Sequence, residues 1–198
     1  MRDKYGVAQD RYCYPNSDVL KNLLGIREPS ELEEAEASFS AARAKDYIAP
    51  HLTLSDFTLP HLKQLHHHLF QDVYEWAGEL RDVDISKGTT RFCTWPRIEP
   101  ESNKLLEKVP SLEHLQTEKE LIIGVADLFC EINLLHPFRE GNGRVQRLFF
   151  EEMLFVLGYD LSWPNISQDH WIDANVAGVN CDLSLLEAIF SQAISNID

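Results

Sequence analysis

The sequence is poor in basic residues and has no paired cysteines. Its 198 residues include 18 lysines and arginines against 32 aspartates and glutamates, so the formal charge at pH 7 is -14. Such a surface repels nucleic-acid backbones and anionic membranes, which argues against direct nucleic-acid binding unless basic residues are concentrated locally. The four cysteines are widely spaced and form no C-x-x-C pair, so neither a zinc site nor a disulfide framework is indicated and a reducing compartment is expected.

The chain also lacks the segments that direct proteins into or across membranes. Its N-terminus, MRDKYGVAQD, has no apolar core of a secretion signal, and no run of about 18 apolar residues occurs. We therefore expect no membrane partner and a cytoplasmic location. The apolar fraction of 44% and charged fraction of 25% are typical of a globular protein, and the length favours one domain over residues 1–198.

The spacing of apolar residues predicts a mainly α-helical fold. Helices are predicted over residues 29–48, 60–77, 117–135, 145–157, 167–177 and 182–195. Residues 1–28 are predicted to form an N-terminal arm that includes a short amphipathic helix. Ser30 and Glu33 have the spacing of a capping box, in which each side chain satisfies a free N–H group at the helix start.

One segment departs from the helical pattern. Residues 80–95 carry β-branched and aromatic residues on both sides of Lys87, Gly88 and Thr89, which predicts a short β-hairpin. A single hairpin cannot build a sheet, so the predicted class remains mainly α.

The stretch HPFREGNGRVQR, residues 136–147, gathers basic residues and glycines in an otherwise acidic chain. It lies between two apolar helices, which predicts a loop and a helix N-terminus near Gly143 or Arg144. The unpaired N–H groups and partial positive charge of such an end suit a phosphate. Gly141 and Gly143 permit positive φ and carry no side chain that would keep a ligand away.

The side chains of this stretch match the needs of phosphate chemistry. Arg144 and Arg147 are three residues apart, so both should reach one polyphosphate. Glu140 indicates a divalent cation, Mg²⁺, which takes one or two carboxylates together with phosphate oxygens. His136 titrates near neutrality and is a candidate general base. The stretch predicts phosphoryl or nucleotidyl transfer; the alternative is a helical corner with solvated arginines.

The same stretch resembles the signature of Fic domain proteins, His-Pro-Phe-x-(Asp/Glu)-Gly-Asn-Gly-Arg-x-x-Arg, at every specified position. The resemblance extends to LHHHLFQDVYEWAGELRDVDISKGTTRF before it and to LFFEEMLFVLGYDLSW after it. RYCYPNSDVLKNLLGI is similar to the N-terminal arm of bacterial Fic toxins and Bep-type effectors. The resemblance implies a Fic fold, a helical bundle with a β-hairpin flap over the active site.

The resemblance also implies an activity, the transfer of AMP from ATP to a Ser, Thr or Tyr hydroxyl of a target protein. By resemblance, His136 would deprotonate that hydroxyl and Glu140 would hold Mg²⁺. The implied ATP-binding residues are Gly141, Asn142 and Gly143 in an anion hole, Arg144 and Arg147 at the β- and γ-phosphates, Lys87, Gly88 and Thr89 in the flap, and Trp171 and Ile172 near the adenine. The flap would pair backbone to backbone with an extended target segment.

Regulation in this family often uses a helix with the pattern (Ser/Thr)-x-x-x-Glu-(Gly/Asn), whose glutamate pairs with the last signature arginine. The only serine or threonine with a glutamate four residues on is Ser30, with Glu34, and Ala35 follows where Gly or Asn is required. The resemblance therefore favours a toxin with a separate small antitoxin that supplies a glutamate to Arg147. A type II topoisomerase subunit is one target that it suggests. Transfer of another group such as UMP, or a non-catalytic nucleotide-binding or antitoxin-binding module, remains open.

Overall fold

The computed structural model describes residues 11–197 and is mainly α-helical there, as predicted. The described helices are α1 (Pro29–Lys45), α2 (Leu59–Phe70), α3 (Ile98–Leu106), α4 (Glu118–Leu135), α5 (Asn142–Val156), α6 (Gln168–Val179) and α7 (Ser184–Ala193). The described strands are β1 (Ser86–Lys87), β2 (Thr90–Arg91), β3 (Tyr159–Leu161) and β4 (Ile194–Asn196). Within residues 11–197, no helix combines the length and apolarity needed to cross a membrane.

The apolar helices α4 and α5 pass through the core and set the position of the loop between them. α4 begins with a capping box in which the Thr117 side chain accepts a hydrogen bond from the Glu120 backbone N–H. Phe129 of α4 packs edge to face against Phe150 of α5, with ring centroids 5.1 Å apart, and against Phe190 of α7, at 5.3 Å. Because both ends of the loop emerge from buried helices, the loop has little freedom to move.

The predicted helices are confirmed, but α2 is shorter than its apolar pattern suggested. Helix α2 ends at Phe70, and residues 71–78 form successive turns instead of continuing it to Ala77. The turn residues Val73 and Trp76 are nevertheless buried, which explains why the apolar spacing persists beyond the helix. Gly78 adopts a φ of 85° at the end of these turns.

Two predictions for the N-terminal region are wrong. Residues 11–28 contain turns and an isolated β-bridge between Cys13 and Leu20, but no helix. The Asn22 side chain accepts a hydrogen bond from the backbone N–H of Ile26 at 2.9 Å, which competes with helical bonding. The arm's first ten residues, part of the predicted 1–28 segment, lie outside the described range.

The capping box predicted at Ser30 and Glu33 is also wrong. Helix α1 begins two residues earlier than the box requires, with Glu28 at the N-cap, Pro29 in the first turn and no side-chain capping bond. Proline is well suited to the first helical position because its φ is already helical and it has no N–H to satisfy. Ser30 therefore lies inside the first turn, where its hydroxyl cannot cap the helix.

The predicted hairpin within residues 80–95, called the flap below, is confirmed. β1 and β2 pair antiparallel, with Ser86 opposite Arg91 and Lys87 opposite Thr90. The connecting residue Gly88 has a φ of 58°, a conformation that tight hairpin turns require and that glycine adopts without strain. Helix α3 and the antiparallel pair β3–β4 were not predicted.

Candidate functional site

The site is built on the loop that joins α4 to α5. Asn142, the first residue of α5, clamps this loop, since its side chain accepts from the Phe138 N–H and donates to the Phe138 carbonyl, both at 2.8 Å. Gly141 caps the helix with a φ of 78°, and a Cβ there would lie 2.4 Å from the Phe70 ring. Of the two glycines that permit a positive φ, Gly141 adopts one, whereas Gly143 lies within the first turn of α5.

His136 closes the C-terminal end of α4 in a left-handed conformation, with a φ of 43°. Its Nδ1 lies 3.1 Å from the Asn133 carbonyl, which can only accept, so Nδ1 carries the proton and Nε2 carries the lone pair. The Phe92 ring stacks on the imidazole with centroids 3.9 Å apart. Burial lowers the pKa of His136 to about 3, so the ring is neutral at pH 7 and is suited to accept a proton.

Glu140 is 6% exposed and is anchored from two sides. Its Oε1 accepts from the Gly141 N–H at 2.9 Å, and its backbone carbonyl accepts from Nε2 of the buried His66 at 3.0 Å. His66 in turn accepts from the Gly78 N–H at 2.8 Å, so its neutral ring connects α2, the segment before the flap and the loop. Within residues 11–197, no cluster of three or more His, Cys, Asp or Glu side chains is arranged to hold a metal ion. One carboxylate fits Mg²⁺ that takes its remaining ligands from phosphates and water.

Arg144 is held by helix α1, which the sequence did not indicate. Its Nη1 donates to Ser40 at 3.1 Å, and its Nη2 forms an ion pair with Glu36. Glu36 is 6% exposed and also accepts a hydrogen bond from the Tyr74 hydroxyl. Burial and the nearby Glu140 raise the pKa of Glu36. Glu36 and Ser40 lie four residues apart on one helical face, but other glutamates lie on the same helix, so this spacing alone does not identify the contact.

Arg147 lies one turn further along α5 and has different partners. Its guanidinium carbon lies 5.9 Å from the ring centroid of Trp163 and 5.2 Å from that of Trp171, within the range of cation–π contact. In the part of the chain that the structure describes, no carboxylate lies within 4.0 Å of this guanidinium. Arg144 and Arg147 thus both lie near the start of α5, but among the described residues only Arg144 forms an ion pair with a carboxylate, that of Glu36.

The flap and helix α6 together form a cavity of about 270 Å³. Its walls include all five residues expected from the resemblance at the flap and adenine positions, namely Lys87, Gly88, Thr89, Trp171 and Ile172. The half-buried Asn133 and Asn175 also line it and were not predicted. Asn133 is the residue whose carbonyl orients His136, so this cavity adjoins the signature loop.

Comparisons with known proteins agree with this architecture. Residues 56–154 match the model of the Fic/DOC family. The chain is 41% identical over 197 residues to the "Probable protein adenylyltransferase Fic" of Escherichia coli strain K12, covering 98% of this chain and 97% of that protein. The N-terminal Fic domain of a VirB-translocated Bep effector protein from Bartonella quintana superposes with a TM-score of 0.82 at 26% identity, covering 93% of this chain and 92% of the other.

A second solved structure has the same fold and contains a nucleotide analogue. BepC from Bartonella tribocorum, with bound AMPPNP, has a TM-score of 0.84 at 23% identity and covers 94% of this chain and 97% of its own. The family match, the near-complete alignment to a curated relative and the shared fold all lead to one assignment. The chain belongs to the Fic/DOC family.

Proposed function

We propose that this protein is a protein adenylyltransferase, which transfers AMP from ATP to a Ser, Thr or Tyr hydroxyl of a target protein. One observation carries the proposal: a neutral histidine with Nε2 as its acceptor nitrogen lies in the loop that leads into the N-terminus of α5, and that helix carries Arg144 and Arg147. A base beside an anion-binding helix end is what nucleotidyl transfer to a hydroxyl requires. The curated relative named as an adenylyltransferase supports the same reaction.

In this reaction, Nε2 of His136 accepts the proton of the target hydroxyl as its oxygen bonds to the α-phosphorus. The bond between the α-phosphorus and the bridging oxygen to the β-phosphate breaks, and pyrophosphate leaves with that electron pair. The N–H groups of Asn142 and Gly143 would stabilise phosphate oxygens at the helix end, and Gly141, whose N–H donates to the Glu140 carboxylate, would line the same site. Arg144 and Arg147 would bind the β- and γ-phosphates.

Glu140 would hold Mg²⁺, whose contribution when bound is to neutralise charge on the phosphates. The protein's own part is to fix this carboxylate, through the Gly141 N–H and through the His66 contact to the Glu140 carbonyl. Because Glu140 is buried and bound on both sides, little ordering remains to be done when the cation and nucleotide arrive.

The cavity beneath the flap is the proposed site of the adenosine part of ATP. Trp171 and Ile172 would contact the adenine, while Lys87, Gly88 and Thr89 would cover the nucleotide. The flap is a two-stranded hairpin, so each strand has an outer edge turned away from its partner strand. An extended target segment would add there through backbone hydrogen bonds, which read few side chains and leave the target's identity open; a type II topoisomerase subunit is one proposed target.

The proposed function is tested by incubating the protein with a cell lysate and ATP or UTP labelled on the α-phosphate. We expect label from ATP to be transferred to protein, with a mass increase of one AMP on a Ser, Thr or Tyr. If only UTP transfers label to protein, the activity is UMP transfer and not AMP transfer. Labelling from neither nucleotide, with binding of ATP retained, would instead support a non-catalytic nucleotide-binding module.

We further propose a small antitoxin as partner, acting on Arg147. This arginine is exposed, and within residues 11–197 it contacts indole rings rather than a carboxylate. A glutamate supplied in trans would pair with it and compete with the γ-phosphate. No segment of the described chain provides such a glutamate to Arg147, which supports control by another protein.

Replacing Glu36 by glutamine is expected to lower the KM for ATP roughly threefold to tenfold. The ion pair with Glu36 shares the charge of Arg144 before a triphosphate binds. Glutamine has nearly the same shape and can still accept from Arg144 and Tyr74, so the change removes charge without opening a cavity. Steady-state kinetics with ATP as the varied substrate measures the effect.

The matched control is Glu34→Gln on the same helix, which makes the same charge change at an exposed position. Its KM for ATP should equal that of the wild type. A KM that rises in Glu36→Gln while the control is unchanged would contradict charge sharing, and would mean that Glu36 is needed to hold Arg144 in place.

A further inference from the structure

An arginine outside the signature, Arg81, joins the flap to the catalytic loop. Arg81 is 2% exposed and lies at the start of the flap. Its guanidinium reaches both limbs of the hairpin, donating to the carbonyls of Val83 at 2.6 Å and Cys93 at 2.5 Å. The same guanidinium donates to the carbonyls of His136 at 2.8 Å and Leu135 at 3.2 Å.

The charge of Arg81 is balanced by carbonyl dipoles. Among residues 11–197, no carboxylate lies within 4.0 Å of its guanidinium. Leu135 and His136 form the C-terminal end of α4, where the helix dipole is negative and terminal carbonyls lack partners within the helix. A planar guanidinium offers five N–H donors in a fixed fork, a geometry that the single ammonium of lysine cannot reproduce.

Backbone and ring contacts strengthen the same connection. The Arg81 N–H donates to the Pro137 carbonyl at 3.0 Å, and the Cys93 N–H donates to the Leu134 carbonyl at 2.9 Å. Phe92, on the outgoing limb of the flap, stacks on the His136 ring at an interplanar angle of 15°. The base of the flap and the backbone of the catalytic histidine therefore form one connected unit.

We propose that Arg81 is a positioning residue for AMP transfer, which sets the distance between a target segment paired with the flap and Nε2 of His136. The inference rests on the proposed function, since it assigns the flap to the target and His136 to its hydroxyl. The hydroxyl of a target segment that is paired with the hairpin reaches Nε2 of His136 only if the distance between the hairpin and His136 is fixed. Arg81 donates to the four carbonyls that fix the hairpin relative to His136. Its side chain makes no described hydrogen bond to a residue proposed to bind the triphosphate.

The test compares Arg81→Lys with the wild type, using ATP and the lysate protein that the wild type labels. We expect kcat to fall about 10-fold to 100-fold, because misplacement by about 1 Å costs this much, while the KM for ATP changes little. The matched control is Arg97→Lys, an exposed arginine paired with Glu101 outside the flap, which should keep the wild-type kcat. A kcat for Arg81→Lys equal to that of the control overturns the proposal.

Circular dichroism at the assay temperature shows whether Arg81→Lys is folded. If it is unfolded, Arg81→Gln decides the matter, since the glutamine amide keeps two N–H donors for these carbonyls but cannot bond all four. A reduced kcat at unchanged KM for ATP in Arg81→Gln supports the proposal, and a kcat equal to that of the control Arg97→Gln overturns it. Failure of the wild type to transfer AMP would instead count against the proposed function itself.

Discussion

Replacing His136 by asparagine is expected to lower the rate of AMP transfer by about 10²-fold to 10⁴-fold, the usual contribution of a general base. Asparagine tolerates the left-handed backbone conformation that His136 adopts, with its φ of 43°, so the α4 terminus should be preserved. The loss then reports the missing Nε2 acceptor. Alanine at this position would confound that loss with backbone strain of about 1–2 kcal/mol.

The rate is measured by transfer of labelled AMP to the target, and nucleotide binding is measured separately by calorimetry. The control His114→Asn makes the same chemical change at an exposed histidine and should leave the rate unchanged. Transfer by His136→Asn at the wild-type rate would exclude this histidine as the base. Loss of both ATP binding and transfer would assign it a structural role instead.

Replacing Gly141 by alanine is expected to destabilise the protein by about 2–5 kcal/mol. A Cβ at this position would lie 2.4 Å from the Phe70 ring, and the φ of 78° is unfavourable for any residue with a Cβ. Overpacking costs about 1–3 kcal/mol and the left-handed conformation about 1–2 kcal/mol. The free energy of unfolding, from urea titration monitored by circular dichroism, measures the change.

The neighbouring substitution Gly143→Ala provides the comparison. A Cβ added at Gly143 would meet no atom within 4 Å beyond the adjacent residues and its own helix backbone, and the φ of this glycine is not in the left-handed region, so stability should be retained. The methyl group would instead enter the proposed phosphate site and raise the KM for ATP about tenfold or more. Equal stability of the two variants would contradict the close contact between Gly141 and Phe70.

Local sequence patterns predicted the helices best where burial and local preference agree. The α4 helix has both a capping box beginning at Thr117 and a continuous apolar face, and its predicted bounds differ from the observed ones by one residue. Helix α2 was predicted too long because Val73 and Trp76 are buried by tertiary packing and not by helical geometry. The short helix predicted in the arm is not found in residues 11–28, because side-chain hydrogen bonds such as that of Asn22 compete with helical bonding. These bonds depend on the folded chain, so the local sequence does not predict them.

The residues of the candidate site also differ in whether local sequence predicts them. The residues of the signature loop are close in sequence, so their proximity follows from chain connectivity and their chemistry could be inferred directly. Glu36 and Arg81 contact that loop from positions 108 and 55 residues away, and no local pattern identifies such partners. Glu36 lies on a helix rich in exposed glutamates, so only the packing of α1 distinguishes it from its neighbours.

The two arginine contacts of the site should also differ in their response to solvent conditions. Arg81 is held by backbone carbonyls, which do not titrate, and its pKa, although lowered by burial to about 10, keeps it charged at neutral pH. The partner of Arg144 is a carboxylate whose pKa is raised, so acidification protonates Glu36 earlier than an ordinary glutamate and releases Arg144. The position of the target hydroxyl should therefore be insensitive to mild acid. The positive charge that Arg144 offers to the phosphates should instead increase as the pH falls and Glu36 is protonated.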